Sequence, residues 1–264
     1  MKLEYKNEYT DKEKELITSI GPVGSGCDVE IPNNITKIEE GLFCDCTKLE
    51  SVELPSNIEI VGDAAFFNCP ELKKIKLPNT ITFLGEDVFF GCKSLKKISL
   101  PDSIDRIYGE TFSNCVSLEE IKLPSNLKAI EYQAFYYCKS LKNIKFPNSI
   151  TSIEEGAFEK CYSFEKINIP NSVNFIGINV FSHCENLKEI KINVKCELPL
   201  GLLYFCDNLE KIYATEESLK LSPNFAKYYK DKIELIKSLD DLLDEGKSLK
   251  EISKILKTED IEMY

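Results

Sequence analysis

The residues with the most obvious capacity for chemistry are the eleven cysteines and the single histidine, His183, in a chain of 264 residues. A Cys–His pair can supply a nucleophile and its base, but the two side chains must converge. His183 directly precedes Cys184, and neighbouring residues of an extended segment point to opposite sides. One histidine and no CxxC pair cannot complete a Cys/His zinc set either. The cysteines therefore predict buried, reduced thiols that pack as small apolar groups, with disulfide pairing between repeats as the alternative.

Other motifs give no better case for catalysis. The segment GPVGSG at residues 21–26 lacks the Lys-Ser/Thr ending of a phosphate-binding loop. Carboxylate pairs such as Glu154 and Glu155 lie where solvated charge is the ordinary expectation. We therefore predict that the protein is not an enzyme and needs no metal and no cofactor.

The spacing of the cysteines carries more information than their reactivity. Each repeat follows the template P-x-x-I-x-x-I-x-x-x-A-F-x-x-C-x-x-L-x-x-I-x-L, whose positions we number from the proline. Seven copies follow one another at a period of 23 residues, with Pro32, Pro55, Pro78, Pro101, Pro124, Pro147 and Pro170 at position 1. Position 12 is Phe43, Phe66, Phe89, Phe112, Phe135, Phe158 and Phe181, and position 15 is Cys46, Cys69, Cys92, Cys115, Cys138, Cys161 and Cys184. A fixed period of about 20–50 residues is the signature of a solenoid.

A coil of this length is too short to enclose a core, so it must stack on its neighbours. Each inward position then faces the same position one coil away, which explains the rows of Phe, Cys, Leu and Ile. The segment L-x-x-I-x-L, as in Leu95–Leu100, predicts a strand. Strands of neighbouring coils should pair in parallel into one continuous sheet that stops at each proline. We therefore predict a β-rich repeat solenoid with a parallel sheet on one face and irregular turns on the other.

The flanking residues predict the domain organisation. Residues 1–31 should form an amino-terminal cap, and residues 32–214 the solenoid, with seven full repeats and an irregular eighth in which Cys206 follows Cys184 by 22 residues. Residues 215–237 should form a carboxy-terminal cap, in which Ser222 and Pro223 begin a short helix. Residues 238–264 have the apolar spacing of a short helical tail.

The seven copies of Phe-x-x-Cys-x-x-Leu-x-x-Ile-x-Leu-Pro resemble leucine-rich repeats of the BspA-like type, known from bacterial surface proteins and some protists. The resemblance covers about residues 27–214. It implies a curved solenoid of leucine-rich-repeat type, no catalytic activity, and a role in adhesion or protein binding. Two departures are the absence of a secretion signal and an Asn row that is only partial, with Asn34, Asn57 and Asn126 at position 3 and Ser or Thr elsewhere.

Composition limits the class of partner and the location. A net charge of −11 and a pI near 4.9 argue against a nucleic-acid-binding protein with a wholly basic surface. The charged first residues lack the apolar stretch of a signal peptide, and no apolar run is long enough to span a membrane. We therefore expect a cytoplasmic protein, or a cell-surface protein if a leader was removed.

The charged and aromatic residues around the strands predict the binding surface. Lysine is frequent at positions 20 and 22, which flank the inward Ile of each strand and should both point outward; the residues are Lys74, Lys76, Lys97, Lys122, Lys145, Lys166 and Lys191. Position 13 carries Phe67, Phe90 and Tyr136, which should form an exposed aromatic strip. The alternative for the lysines is that they only solubilise the sheet.

Two functions follow from these residues. The first is a non-enzymatic protein-interaction scaffold that binds a protein or polyanionic partner along its sheet face. The alternative is a regulator whose tail contacts DNA, because residues 242–256 resemble the first helix and turn of a helix-turn-helix. The segment that would then have to enter the groove, residues 257–264, is acidic and would repel phosphates. The sequence names neither the partner nor the oligomeric state.

Overall fold

A computed structural model describes residues 27–31, 33, 35–236 and 251, in which each repeat forms one coil of a parallel β-solenoid of about nine turns. We number the coils from the repeat that begins at Pro32. In chain order the strands are β1 (Cys27–Glu30), β2 (Lys37–Ile38), β3 (Leu49–Glu53), β4 (Ile60–Val61), β5 (Lys74–Lys76), β6 (Phe83–Leu84), β7 (Lys97–Ser99), β8 (Arg106–Ile107), β9 (Glu120–Lys122), β10 (Ala129–Ile130), β11 (Ser152–Ile153), β12 (Lys166–Ile169), β13 (Phe175–Ile176), β14 (Glu189–Ile192), β15 (Lys211–Ala214) and β16 (Ile233–Leu235).

The strands at positions 20–22 form the predicted parallel sheet, in three segments rather than one. Their orders are β1-β3-β5, β7-β9 and β12-β14-β15-β16. The register matches equivalent positions of successive coils, as where Ile167 lies opposite Ile190. Each buried Ile at position 21 therefore faces the next, and positions 20 and 22 point outward together, which confirms the predicted alternation.

The sheet is interrupted at coil 5, where residues 143–145 are not part of a strand. Two large rings lie at this point in slots that other coils fill with aliphatic side chains. Phe146 replaces the Leu or Ile of position 23 and contacts Phe158 at 5.7 Å between ring centroids. Phe164 replaces Leu at position 18 and lies 5.9 Å from Phe158. We attribute the interruption to this extra volume, because a close-packed core accommodates larger side chains only by moving backbone.

A second parallel ladder at positions 6 and 7 was not predicted. Its two sheets have the orders β2-β4-β6 and β13-β11-β10-β8. Each strand has two residues, of which the second is buried, such as Ile107 and Ile130. Two residues are too few to show an alternating pattern, so the sequence carried no signal for them.

The turns at positions 9–15 are also bonded from coil to coil. The N–H groups of positions 10, 12 and 14 donate to carbonyls of the next coil, as from Phe112 to Ala134 at 2.8 Å. The N–H groups of positions 11, 13 and 15 donate to carbonyls of their own coil, as from Cys115 to Phe112 at 3.1 Å. Positions 10 and 14 both adopt positive φ in coils 1–7, for example Glu110 (51°) and Asn114 (60°), and position 14 does so in the eighth coil as well. That conformation costs a residue other than Gly about 1–2 kcal/mol, least for Asn and Asp.

Stacked rings fill the core. All seven position-12 phenylalanines are fully buried, and neighbouring rings stack with centroids 5.1–5.7 Å apart. The position-15 cysteines are buried and free, which confirms the predicted cysteine ladder. Because identical side chains pack on one another, each coil completes the core of its neighbours.

The short polar residues after each proline have a structural role. The side chain of Asn57 donates to the backbone carbonyl of Ile35 at 2.8 Å. The hydroxyl of Thr80 donates to the backbone carbonyl of Ile58 at 2.6 Å. Ser149 makes the same contact with Leu127 at 2.8 Å. Asn, Thr and Ser thus satisfy the same buried carbonyl one coil earlier, so this row needs no ligand to explain it.

The stack ends in an irregular coil and two short helices. A 3₁₀ helix, Leu200–Leu203, rounds the eighth coil, and α1 (Glu216–Leu221) and α2 (Pro223–Tyr228) precede the edge strand β16. The helix at Pro223 was predicted, but Ser222 does not cap it with its side chain. Its hydroxyl instead donates to the carbonyl of Ser218 and accepts from the N–H of Leu198, both at 2.8 Å, which ties α1 to the last coil.

Several predictions concern residues outside the described ranges. They include most of the amino-terminal cap, the segment GPVGSG, Asn34 and the helical tail with its helix-turn-helix resemblance. In the part of the chain that is described, no helix is long and apolar enough to cross a membrane.

Candidate protein-binding surfaces

The predicted lysines lie together on the outer side of the main sheet, which we call the sheet face. Lys74, Lys76, Lys97, Lys122, Lys145 and Lys166 are exposed, and Lys191 is half-buried.

Some of these lysines already have partners in the next coil. Lys97 Nζ lies 2.6 Å from Glu120 Oε2, and Lys166 Nζ lies 2.9 Å from Glu189 Oε2. The hydrogen bond that Lys97 donates to the Glu120 carboxylate raises the pKa of Lys97 above its ordinary value. Both pairs join position 20 of successive coils. Exposed pairs of this kind contribute little to stability, but they occupy the ammonium groups.

Position 19 repeats the arrangement. Lys73 pairs with Glu50 at 2.8 Å and Lys142 with Glu119 at 3.4 Å. At positions 19 and 20, the sheet face therefore carries lysines paired with glutamates rather than a continuous basic surface. This pairing was not predicted, because it depends on which coils carry Glu and which carry Lys at equal positions.

Four of the predicted lysines differ. Within the described residues, Lys74, Lys76, Lys122 and Lys145 form no ion pair. Three of them occupy position 22, in coils 2, 4 and 5. The basic character of the sheet face is thus concentrated at its position-22 edge.

A shallow groove of about 450 Å³ lies beside the interrupted strand of coil 5. Its lining includes Asn143, Asn186 and the lysines Lys142, Lys166 and Lys188. Each of these lysines pairs with a glutamate, Lys188 with Glu165 at 3.8 Å. The groove is therefore polar and internally neutralised.

The predicted aromatic strip is not continuous. Phe67 and Phe90 are half-buried and stack on each other with centroids 4.8 Å apart. Position 13 of the next coil is Ser113, which is buried, so Tyr136 does not reach them. Tyr136 instead contacts Lys160 and Tyr137. The prediction of one exposed strip was wrong, because the residue in the intervening coil is small and faces inward.

His183 and Cys184 do not converge. The buried thiol of Cys184 donates to the carbonyl of Phe158 at 3.4 Å, and burial raises its pKa well above the ordinary value. The ring of His183 instead stacks on Phe205 at 4.4 Å between centroids. No cluster of His, Cys, Asp and Glu among the described residues could hold a metal ion.

The structure also shows a group of rings that was missed. Tyr137, Tyr162, His183, Phe205 and Tyr228 lie on the outside of the turns of coils 5–8 and on α2. A signal was present in the sequence, since position 14 changes from Asp, Asn and Gly in coils 1–4 to Tyr, Lys, His and Phe afterwards.

A stack of short coils with recurring inward rows defines the class of repeat scaffolds. The family model of the BspA type leucine rich repeat region matches residues 27–138 and 105–232, in six copies. The chain therefore belongs to the BspA-type leucine-rich repeat family. Proteins with leucine-rich repeats typically act as protein-interaction scaffolds.

One solved structure supports this assignment, and two others show weaker similarity. A leucine-rich repeat protein from Bacteroides ovatus is 30% identical, with a TM-score of 0.66, over 79% of this chain and 54% of that protein. The chain thus spans about half the length of that relative. A leucine rich cell surface protein from Faecalibacterium prausnitzii is 20% identical over 74% of this chain and 81% of that one, with a TM-score of 0.42. The pneumococcal vaccine antigen PcpA is 19% identical over 80% and 79%, with a TM-score of 0.44. No curated protein matches the chain.

Proposed function

We propose that the protein is a non-enzymatic scaffold whose sheet face binds an acidic segment of a partner protein. The observation that carries the proposal is the set of exposed lysines without an ion pair, Lys74, Lys76, Lys122 and Lys145, on a face where other lysines are paired.

The spacing of these lysines suits an extended partner. Paired parallel strands lie about 4.8 Å apart, so along the stack the backbones of Lys122 and Lys145 are about one coil spacing apart and that of Lys76 is about two coil spacings, roughly 10 Å, from Lys122. Like charges this close repel each other. Carboxylates of a partner that runs along the stack would relieve that repulsion.

The surrounding charges favour a protein over a duplex. Glu53, Glu120 and Glu189 interrupt the lysine rows on the same face. They would repel a regular phosphate backbone, whereas a peptide can place neutral residues opposite them. Because the lysines are exposed, association should be steered by charge and weaken as salt screens it beyond about 10 Å at 0.1 M.

The test uses a synthetic peptide of alternating Glu and Ser and the full chain. Lys76→Glu, Lys122→Glu and Lys145→Glu together should abolish binding measured by fluorescence anisotropy. A charge-matched control replaces the exposed Lys93, Lys128 and Lys230 by Glu, away from the sheet face. Equal losses in both variants would mean that only net charge matters, and undiminished binding in the first would move the site elsewhere. Competition by polyphosphate as strong as that by the peptide would instead indicate a general polyanion site.

A further inference from the structure

A second surface, on the turns of coils 5–8, differs in chemistry from the sheet face. At position 14, coils 1–4 carry Asp45, Asn68, Gly91 and Asn114, which suit positive φ. Coils 5–8 carry Tyr137, Lys160, His183 and Phe205, with φ of 58°, 62°, 58° and 58°. Tyr, Lys and Phe are disfavoured in that conformation, whereas His tolerates it better. Coils 5, 6 and 8 thus keep an unfavourable residue where an ordinary one is available, and such strain collects at functional sites.

The same coils present a row of rings to solvent. Tyr137 contacts Tyr162 at 5.8 Å, and His183 stacks on Phe205 at 4.4 Å. Phe205 in turn contacts Tyr204, which contacts Tyr228 on α2 at 6.2 Å. Phe205 and Tyr228 are 61% and 64% exposed, whereas the position-12 phenylalanines of the core are fully buried. We call these residues, with Lys160 between them, the aromatic surface.

One end of the aromatic surface already holds a cation. Lys160 Nζ lies 4.6 Å above the centroid of the Tyr136 ring and donates to the Tyr136 hydroxyl at 2.5 Å. Glu159 Oε1 lies 3.6 Å from the same ammonium. A ring face and a carboxylate together hold this charge, since both attract a cation.

The next two coils also carry acids close to rings in the sequence, at position 16 rather than at position 13. Glu185 and Asp207 occupy position 16 of coils 7 and 8, two residues after His183 and Phe205. Both carboxylates are exposed, and neither forms an ion pair within the described ranges. Burial and the charges of Tyr137 and Glu185 raise the pKa of Tyr162, so the field of Glu185 reaches the rings.

We infer that the aromatic surface binds a basic, extended segment of a partner polypeptide, whose Arg or Lys side chains lie over the rings of His183 and Phe205 beside Glu185 and Asp207. Within the chain, Lys160 shows that a ring and a carboxylate of these coils together hold an ammonium group. Unpaired carboxylates favour a basic peptide over a neutral glycan, which rings alone would also accept. This surface is separate from the lysines of the sheet face, and its ligand has the opposite charge.

Isothermal titration of the full chain with a synthetic peptide of alternating Arg and Gly tests the inference. Phe205→Asn removes the ring and places a residue that tolerates positive φ. We expect this variant to raise the melting temperature and to weaken peptide binding by about tenfold or more. His183→Asn is a second variant that removes a ring and should also weaken peptide binding. The matched control is Ala64→Asn, at a φ of 52° in coil 2, which should also raise the melting temperature but leave binding unchanged.

Charge is tested separately, because an acidic protein attracts basic peptides in general. Glu185→Gln with Asp207→Asn should weaken binding, whereas Glu59→Gln with Asp105→Asn, two exposed acids of other coils, should not. Equal effects of the two pairs would overturn the inference, as would full binding by Phe205→Asn or the absence of binding at millimolar peptide. Equal binding of a Ser-Gly peptide or a neutral oligosaccharide would also contradict it.

Discussion

The thiol of Cys115 donates a hydrogen bond to the backbone carbonyl of Phe89, 26 residues earlier, at 3.1 Å. The same bond recurs along the stack at 3.0–3.4 Å, from Cys69, Cys92, Cys138, Cys161 and Cys184 to the position-12 Phe of the preceding coil, with Cys206 bonding to Phe181 at 3.1 Å. The cysteine ladder therefore links successive coils by polar contacts as well as by packing. A buried serine at this position would therefore keep a hydrogen-bond acceptor.

Cys115→Ser should consequently destabilise the protein by only about 1 kcal/mol, less than an unpaired buried hydroxyl would. Cys115→Ala, which removes the donor, is the comparison and should cost more by about 0.5–1.5 kcal/mol. Urea unfolding followed by circular dichroism measures both. If the serine variant proved less stable than the alanine variant, the hydrogen bond would have no net value.

Phe112→Ala should cost about 3–5 kcal/mol, because it opens a cavity between two stacked rings. Phe67→Ala should cost clearly less, since Phe67 is half-buried and stacks only on Phe90. The difference between the two free energies of unfolding is the decisive quantity. Equal losses would show that position 13 is as much part of the core as position 12.

The positive φ values in the turns predict that two opposite substitutions, Ala64→Gly and Gly91→Ala, change stability in opposite directions. Ala64 has a φ of 52°, so Ala64→Gly should stabilise the protein by about 0.5–1 kcal/mol after allowing for the entropy of glycine in the unfolded chain. Gly91 has a φ of 70°, and a Cβ there would meet Asn68 at ordinary distances of 3.4 Å or more. Gly91→Ala should therefore destabilise through backbone strain alone, by about 1–2 kcal/mol. Thermal unfolding measures both, and changes of the same sign would contradict the assigned conformations.

Acidic side chains at positions 8–10 predict an unusual pH dependence. Burial, and secondarily the charge of Asp63, raise the pKa of Asp87 above its ordinary value of 3.8. Burial and the charge of Asp87 do the same to Glu110. A carboxyl whose pKa is raised by folding destabilises the fold when ionised, and that penalty disappears as the pH falls through the raised pKa towards the ordinary one.

Asp87→Asn should therefore raise the free energy of unfolding at pH 7 by about 0.2–1 kcal/mol, the range of exposed charge interactions. The gain should diminish as the pH falls through the raised pKa of Asp87, because the wild-type carboxyl then becomes protonated in the folded state. Asparagine also tolerates the φ of 55° at this residue. The measurement is the difference in melting temperature from wild type across pH, with the exposed Asp105→Asn as the control. A gain that did not change with pH would have another cause.

The sequence predicted those features that repeat and missed those that depend on exceptions. Phe112 and Cys115 could be placed in the core because their types recur in every coil, and the strand at residues 97–99 because its apolar residues alternate. The interruption near Phe146 coincides with the large rings of Phe146 and Phe164, which replace the aliphatic residues of the repeat pattern.

The candidate sites show the same division. That positions 20 and 22 face outward follows from the alternation of a strand, and this was predicted correctly. Which lysines are available was not predictable, because Lys97 is paired only on account of Glu120 in the following coil. Phe205 escaped notice because its exposure depends on a turn conformation that a residue of its type seldom adopts.

The residues at position 14 should make coils 5–8 less stable to local unfolding than coils 1–4. Each coil contacts only its neighbours, so the energy needed to detach a coil is local, and strain in coils 5–8 lowers it at the carboxy-terminal end. Unfolding should proceed as a front from that end, with amide exchange fastest in the last coils and slowest around coils 2 and 3. A segment bound across His183 and Phe205 would then stabilise the coils that unfold first, because it binds only their folded state. The same side chains would therefore serve both binding and local stability.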